Sequence, residues 1–384
     1  MISMDVVATL TLLGIVQGFF IGMLLVLGKG ANRRANRFLG SLFISYSLSI
    51  LHFFLDRAGL YLQVPHLMRV GLPVLFLFGP LFYLYVRILT DRSVHLRLRD
   101  LLHGIPFLLF VGLMTPFYLS SREEKIAQIS QVRIFAAEPA FLIVGTLQVV
   151  HIFAYMLVVR KILAQYSVGI RHTRSSIEQI NLRWLRTGTT LYLLVFGFIQ
   201  ILTALQAFGI QSVELYHTTV PLIVTAIIYG LGYMGLRQKE LFSPAEEVAA
   251  VRKYEKSALT PDVAREYAER VQRCMEGEKP FLESDLTLPG LSSRIGVPSY
   301  QLSQVINESL GTSFFDFING YRIEEAKRLL LDSSKSAYTI LAIAEEAGFN
   351  SKSAFNAAFK RHAGQTPSEF RQSLRKAGPL PTAA

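Results

Sequence analysis

The pattern of apolar and polar positions divides the chain into two parts. Before residue 237 it contains seven apolar runs, each close to the 20 or so residues that a helix needs to cross a hydrocarbon core of about 30 Å. The runs are Val6–Leu27, Phe38–Leu55, Val70–Leu89, Leu101–Leu119, Ala140–Val159, Thr189–Phe208 and Thr218–Leu236. A backbone in lipid must satisfy its own hydrogen bonds, and no alternating barrel pattern is present. The runs therefore predict a transmembrane bundle of seven helices over residues 1–237.

After residue 237 the chain becomes polar and mixed in charge, which predicts a juxtamembrane linker and an amphipathic helix over residues 238–280. Thr260 followed by Pro261 is a typical helix start, because threonine caps the first turn and proline fits the first helical position. An apolar stripe then follows at helical spacing, formed by Val263, Tyr267, Val271, Cys274 and Met275. The stripe is compatible with packing on the following domain and with a dimer seam or signal-transmitting stalk.

An internal repeat occupies the C-terminal part of the chain. The stretch LSSRIGVPSYQLSQVINESLGTSFFDFI (291–318) matches IAEEAGFNSKSAFNAAFKRHAGQTPSEF (343–370). Gly296 aligns with Gly348, and Gly311 aligns with Gly364 after a one-residue insertion. Each copy reads as helix, glycine turn and helix, which is the helix-turn-helix plan. Residues 314–333 between the turns predict one amphipathic linking helix.

The second helix of each copy predicts an outward polar face suited to DNA. An α-helix fits the major groove, where amide side chains can bond adenine, while lysine and arginine reach phosphates. The candidate DNA-contacting residues are Ser299, Tyr300, Gln301, Ser303 and Gln304 in the first copy and Lys352, Ser353, Asn356, Lys360 and Arg361 in the second. A solvated face on a protein-binding module is the alternative interpretation.

These segments resemble the DNA-binding domain of AraC/XylS-type transcriptional regulators. The resemblance runs through LSQVIN, YRIEEAKRLL and ILAIAEEAGFNSKSAFNAAFKRHAGQTPSEFR. It covers residues 281–376, leaving a predicted disordered tail at 377–384. The junction YGLGYMGLRQKELF after the last apolar run is similar to membrane-embedded members of that family. The resemblance implies a bacterial regulator that places two reading helices in successive major grooves of double-stranded DNA.

The net charge of +11 does not itself indicate DNA binding. Residues 1–239 contain 21 Lys and Arg against 9 Asp and Glu, whereas residues 240–384 contain 18 against 19. The positive excess therefore belongs to the apolar part. The single cysteine, Cys274, excludes an intrachain disulfide and fits a reducing compartment.

The loop charges predict the orientation in the membrane. The odd-numbered loops and the end of the last run hold sixteen basic residues: Lys29, Arg33, Arg34, Arg37, Arg87, Arg92, Arg97, Arg99, Arg160, Lys161, Arg171, Arg174, Arg183, Arg186, Arg237 and Lys239. The even-numbered loops hold five: Arg57, Arg69, Arg122, Lys125 and Arg133. Basic loops stay in the cytoplasm. We therefore expect a multi-pass protein of the bacterial inner membrane, with its N-terminus outside and its C-terminal domain in the cytoplasm.

The sequence offers no enzyme signature. It has no phosphate-binding GxxxxGK[ST] loop, no HExxH and no paired cysteines, so we expect no catalytic residue, no metal and no cofactor. Polar side chains inside the apolar runs are candidates for contact with a signal molecule. They are His103, His151, Gln148 and Gln200, with Gln206 in the same class. For each of these, hydrogen bonding between helices is the competing interpretation.

Together these patterns predict a membrane-embedded, one-component transcriptional regulator. Its partners would be DNA, the lipid bilayer and an unknown small or lipophilic signal. A homodimer is a further expectation, and an activator could also contact RNA polymerase. The alternatives are a transporter-like protein whose C-terminal domain reports its state, and a receptor whose tail recruits a protein. The sequence leaves the signal, the operator and the choice between activation and repression open.

Overall fold

The computed structural model describes residues 4–29, 32–91, 93–129, 139–177, 180–208, 210, 212–237 and 259–377. Over these ranges the chain is helical and has no β-strand; one isolated bridge pairs Arg174 with Thr287. The all-α prediction is therefore confirmed. The predicted linker at 238–258 and the tail at 378–384 lie outside the described residues. The chain divides into two compact units, residues 1–165 with 182–247 and residues 166–181 with 248–384.

The first unit is built from long apolar helices. Its helices are α1 (Val6–Leu27), α2 (Arg33–Arg57), α3 (Gly71–Thr90), α4 (Ile105–Leu119), α5 (Arg122–Ile129), α6 (Pro139–Thr173), α7 (Arg183–Ala207) and α8 (Val213–Arg237). Short 3₁₀ turns at Leu60–Leu62, Pro65–Leu67 and Leu98–Gly104 connect them. In the described part of the chain, seven helical segments are long and apolar enough to cross a membrane. Seven long apolar helices were predicted, and this count is confirmed.

Helix α6 extends well beyond the apolar run that predicted it. The run ends at Val159, but the helix continues to Thr173. Its 35 residues correspond to about 52 Å of helix, which exceeds a hydrocarbon core of about 30 Å. The last eight residues, 166–173, belong to the second unit. The polar end of α6 is therefore part of the C-terminal unit.

Small residues bring α1 and α2 into close contact. Gly14, Gly18 and Gly22 recur every four residues along α1. A side chain at Gly22 would place its Cβ 2.9 Å from the carbonyl oxygen of Gly40, and one at Gly40 would lie 2.6 Å from the carbonyl oxygen of Gly22. Such contacts require glycine on both helices. This is the packing that helices in lipid use when no hydrophobic driving force holds them together.

In its described residues, the second unit has seven α-helices besides the end of α6. They are α9 (Pro261–Gly277), α10 (Leu288–Ile295), α11 (Ser299–Gln304), α12 (Phe314–Leu331), α13 (Ile340–Glu346), α14 (Lys352–Ala363) and α15 (Pro367–Ala377). A π turn at Val305–Ser309 extends α11. The predicted linking helix corresponds to α12. Its Ile318 lies in a core with the first repeat, and its Ala326 lies in a core with the second.

The stripe on α9 packs into the core of this unit. Val271 and Met275 are fully buried, Cys274 is 8% exposed, and Tyr267 packs against the same cluster. The cluster also contains Phe281 from the following turn. Of the two interpretations of the stripe, the structure therefore favours packing on the domain behind it over a dimer seam.

Candidate nucleic-acid interface and signal cavity

Each repeat forms two helices joined by a glycine in the left-handed region. Helix α10 ends at Gly296 with φ +66°, and α13 is followed by Gly348 with φ +88°. A residue with a Cβ is strained there, so glycine terminates the first helix cleanly. Ser351 caps α14, since its side chain accepts a hydrogen bond from Ala354 N at 3.2 Å. The structure thus places α11 and α14 as the second, reading helices of two helix-turn-helix motifs.

On α14 the predicted DNA-contacting residues share one accessible face. Lys352, Ser353, Lys360 and Arg361 are exposed, and Asn356 is half-buried. Arg361 donates to Asp316 Oδ1 at 2.7 Å. The opposite face of the helix packs Phe355 and Phe359 into the core with no exposure. This face can offer one amide, one hydroxyl and three cations to a groove.

On α11 the predicted DNA-contacting residues differ more in their exposure to solvent. Tyr300 is 43% exposed, and Gln301 and Gln304 are half-buried. Gln304 Nε2 donates to Glu308 Oε2 at 2.9 Å, a contact that a base could replace. Ser299 is half-buried, and its Oγ donates to Ser292 Oγ at 3.0 Å, which ties it to the preceding helix.

The outward position predicted for Ser303 is wrong. Ser303 is only 2% exposed, and its Oγ accepts a hydrogen bond from Asn307 Nδ2 at 3.1 Å. Asn307 Oδ1 in turn lies 2.9 Å from His172 Nδ1 at the end of α6. Helical periodicity within the repeat could not reveal the contact between Asn307 and His172, because His172 lies 135 residues before Asn307 in the chain.

Charges around α12 and α15 define the electrostatics of this unit. Burial raises the pKa of the Asp316 carboxyl, but the hydrogen bond from Ser313 and the charges of Arg171 and Arg361 outweigh it and hold the pKa below its ordinary value. Hydrogen bonds from Thr366 lower the pKa of Glu369. The bond from Thr366 N to Glu369 Oε2 is 2.7 Å long, and that from Glu369 N to Thr366 Oγ1 is 3.3 Å. These two reciprocal bonds form a capping box at the start of α15.

The first unit contains a cavity of about 250 Å³ among its apolar helices. Two predicted signal-binding residues, Gln148 and Gln200, line it, as does Gln206. Gln148 Nε2 donates to the carbonyl of Leu72 at 3.1 Å, and Gln200 Nε2 donates to Thr146 Oγ1 at 3.0 Å. Gln206 Nε2 is buried and has no hydrogen-bond partner among the residues that the structure describes.

The other two predicted signal-binding residues do not line this cavity. His103 Nδ1 lies 2.6 Å from the hydroxyl of Tyr155, so this histidine bonds between helices. His151 packs its ring against Phe76 and Tyr155, and its buried Nδ1 has no partner. Hydrogen bonding between helices, the competing interpretation, describes His103.

Sequence reasoning missed several polar residues of the cavity wall, among them His52, Arg69 and His217. His52 Nδ1 lies 2.9 Å from the Tyr61 hydroxyl, and His217 Nδ1 lies 3.1 Å from Asp56 Oδ2. Each lies within a few residues of a helix end. Polar residues are common there, so the sequence pattern alone does not mark them as functional. Over the described ranges, no group of three or more His, Cys, Asp or Glu residues could hold a metal ion.

Comparison with known proteins shows that the C-terminal repeat is similar to helix-turn-helix domains. Residues 291–373 match a helix-turn-helix domain family. An uncharacterized HTH-type transcriptional regulator of Staphylococcus aureus (strain COL) is 41% identical over 87 residues, which are 23% of this chain and 11% of the relative. The uncharacterized HTH-type transcriptional regulator YtdP of Bacillus subtilis (strain 168) is 30% identical over 93 residues, 24% of this chain and 12% of that protein.

A solved structure is similar to part of this chain. The C-terminal domain of AraT, a response regulator from Geobacillus stearothermophilus, is 33% identical, and the match covers 30% of this chain and 88% of that one with a TM-score of 0.25. The chain spans about a tenth of the length of the curated relatives that it matches. Residues 291–373 therefore form a helix-turn-helix domain of the AraC type.

Proposed function

We propose that this chain is a membrane-embedded bacterial transcriptional regulator, which senses a signal in its apolar bundle and binds specific DNA through its two helix-turn-helix motifs. One observation carries the proposal. A helix-turn-helix domain with polar, exposed reading positions shares a chain with seven helical segments of membrane-crossing length and hydropathy. A homodimer and contact with RNA polymerase stay predictions.

In the proposed DNA complex, the two kinds of side chain have different roles. Gln304 and Asn356 carry amides that can bond the edge of adenine bidentately, so they would specify sequence. Lys352 and Lys360 are exposed cations that would contact phosphates and position the domain. Arg361 would exchange its carboxylate partner Asp316 for a phosphate oxygen.

The cavity is the proposed site of the signal. A volume of about 250 Å³ holds roughly eight water-sized groups. Apolar side chains such as Phe78, Ile152 and Val224 form much of its wall. A buried amide without a partner costs about 1–3 kcal/mol, so an acceptor on the ligand would stabilise the complex through Gln206 Nε2. These features fit a small, largely apolar molecule that carries a hydrogen-bond acceptor.

The DNA-binding part is tested with the detergent-purified full chain. Binding to a randomised duplex pool should enrich one sequence, and Gln304→Ala or Asn356→Ala should lose about 1–3 kcal/mol at one base position. Lys360→Ala should instead weaken binding to all sequences and flatten the salt dependence by about one counterion. Lys327→Ala, which removes the same charge from a cation paired with Glu324, is the control. Wild-type protein that enriches no sequence would overturn the proposal.

The location in the inner membrane has its own test. Reporter fusions that are active only outside the cytoplasm should be active after residue 130 or 212 and inactive after residue 175 or 384. The asymmetry of sixteen basic loop residues against five is the reason for this expectation. An active fusion after residue 384 would contradict the regulator function, because the helix-turn-helix domain would have no access to DNA.

A further inference from the structure

The end of α6 and the residues after it form an integral part of the C-terminal unit. Residues 166–181 group with residues 248–384 and not with the other helices of the bundle. The part that makes the contacts, residues 171–176, is called the docked segment below. It lies between 105 and 180 residues before the parts of the unit that it touches.

A buried arginine on α12 anchors the docked segment. Arg322 is 1% exposed, and its guanidinium donates to the carbonyl oxygens of Phe281 and Glu283 at 2.6 Å each. The same group donates to the carbonyl oxygen of Ser175 at 3.2 Å and to Ser175 Oγ at 3.1 Å. A buried charge is costly unless its donors are satisfied. Ser175 therefore completes the hydrogen bonding of a cation at the centre of the domain.

The docked segment contacts the first helix-turn-helix motif at both of its ends. Ser175 donates to the carbonyl oxygen of Leu286 from its N at 3.2 Å and from its Oγ at 2.6 Å. Arg174 forms a bridge with Thr287, which caps α10. At the other end of the motif, His172 Nδ1 lies 2.9 Å from Asn307 Oδ1.

The same segment contacts the second motif. Asn350, in the turn that precedes α14, donates from Nδ2 to Ser176 Oγ at 2.8 Å. Arg171 donates to both carboxylate oxygens of Asp316 at 3.1 Å, and Asp316 also accepts from Arg361 of the second reading helix. Six consecutive residues thus connect the two motifs in addition to the linking helix α12, on which Arg322 and Asp316 lie.

The docked segment leaves the reading faces accessible. Tyr300 on α11 and Lys352, Ser353 and Lys360 on α14 stay exposed while it is in place. It also brings Arg171 and Arg174 to a region that has 18 basic against 19 acidic residues over positions 240–384. The position and charge of the docked segment are therefore more compatible with a segment that assists DNA binding than with one that inhibits it.

We propose that the docked segment is an internal clamp that fixes the two reading helices at the spacing needed to occupy successive major grooves, with Arg322 as its positioning residue. The proposal rests on the proposed DNA-binding function. One monomer that reads two grooves must hold its reading helices about 34 Å apart, the length of one helical turn of DNA. The docked segment begins in the last turn of α6 and continues beyond its end at Thr173, and Gln148 of α6 lines the cavity. A signal that displaces α6 would change the spacing of the reading helices and hence the affinity for DNA.

The test uses the full chain in detergent and the duplex that the wild-type protein selects. In two variants of this duplex, one or two base pairs are inserted between the subsites for the two motifs. Each insertion shifts and rotates one subsite relative to the other. The wild-type protein should lose about tenfold in affinity per insertion, since a displaced reading helix faces the wrong bases. Arg171→Ala with His172→Ala should bind the native spacing more weakly and show less than about a twofold preference among the spacings.

The control is Lys161→Ala with Gln165→Ala, two exposed residues on the same helix, which should keep the wild-type preference. An unchanged preference in the Arg171→Ala, His172→Ala protein, or an equal loss at every spacing, overturns the clamp. Wild-type protein that selects no duplex overturns the proposed DNA binding itself.

A second measurement does not depend on DNA. Ser176→Cys with Asn350→Cys should be joined in membranes by a short thiol-specific cross-linker, because Ser176 Oγ and Asn350 Nδ2 are 2.8 Å apart. Neither single variant should give this cross-link. Failure of the double variant to cross-link would show that the segment is not docked.

Discussion

At the scale of single residues, Asp316 shows how one carboxylate can connect distant parts of the chain. It accepts from Arg171 at 3.1 Å, from Arg361 at 2.7 Å and from Ser313 Oγ at 2.6 Å. Its side chain is 29% exposed, so solvent screens these ion pairs only in part. The two guanidinium groups come from the docked segment and from the second reading helix. Asp316 thus holds together groups that sequence position separates by 145 and 45 residues.

This arrangement predicts a pH dependence of stability. The pKa of Asp316 is lower in the folded protein than its ordinary value of 3.8. Its carboxylate therefore stabilises the fold at pH values above the unfolded pKa, and this contribution is lost as the pH falls through the lowered folded pKa. We expect Asp316→Asn to reduce the free energy of unfolding by about 1 kcal/mol at pH 7, and progressively less below pH 4 or so.

Thermal unfolding of the full-length wild-type and Asp316→Asn proteins between pH 3 and pH 7 measures this difference. Asp285→Asn, an exposed aspartate of the same unit, should leave stability nearly unchanged throughout. A difference between wild type and Asp316→Asn that stays constant over the whole range would contradict the assignment of the ion pairs.

Residue contacts were predictable from the sequence where they are local. The caps at Thr260 and Ser351 and the capping box of Thr366 with Glu369 each join residues three apart, and the rules for helix starts identify them. The contact of Arg322 with Ser175 spans 147 residues, and no periodicity encodes it. His52 and His217 of the cavity wall are likewise distant in sequence, with ring centroids 5.6 Å apart.

At the scale of elements, the glycine turns of the two motifs differ in what surrounds them. Gly296 has φ +66° and nothing within 4 Å of the position of an added Cβ. Gly348 has φ +88°, and an added Cβ would lie 2.6 Å from the carbonyl oxygen of Phe281 and 2.9 Å from Leu282 Cα. The second turn therefore packs directly on the backbone that precedes the first motif.

This difference predicts unequal costs for the same substitution. Gly296→Ala should reduce the free energy of unfolding by about 1–2 kcal/mol, the cost of a left-handed residue with a Cβ. Gly348→Ala should cost clearly more, since backbone atoms at 2.6 Å cannot move aside as a flexible side chain can. Chemical or thermal unfolding of the full chain, followed by a probe in the C-terminal unit, measures both. Equal losses for the two variants would show that the Gly348 turn is not packed as described.

Element identity was largely predictable, but element ends and partners were not. Apolar runs of membrane length and the repeat at 291–318 and 343–370 identify the helices, because periodicity is a local property. The prediction for α6 stopped at Val159, where the apolar run stops, although the helix continues to Thr173 through polar residues. Its polar end is stabilised by Asn307 and Asp316 of the C-terminal unit, to which residues 166–173 also belong, and no local pattern could reveal these contacts.

At the scale of the whole molecule, charge and hydropathy divide the chain into an apolar, positively charged N-terminal part and a polar, nearly neutral C-terminal part. The positive excess lies in residues 1–239, so in the proposed DNA complex the near-neutral C-terminal region would contact phosphates through local cations such as Lys360. A tether would require one membrane span, yet the described chain has seven candidate spans and a cavity between them. Restricting a DNA-binding protein to the membrane limits the sites that it can search. The restriction is useful if the signal is lipid-soluble or arises at the membrane.

We therefore expect the bundle of apolar helices to act as the sensor. In one chimera, a single unrelated span replaces residues 1–236, with the C-terminal domain kept in the cytoplasm and the expression level matched to wild type. This chimera lacks both the cavity and the docked segment, so transcription of the target should no longer change under the conditions to which the wild type responds. A second chimera joins residues 166–181 to the same span, and it should recover the preference for native subsite spacing without recovering the response. A signal can shift an equilibrium only by its difference in affinity for the two arrangements, and neither chimera has a site for it. Transcription that still follows the native signal in either chimera would reduce the bundle to an anchor and place the sensor elsewhere.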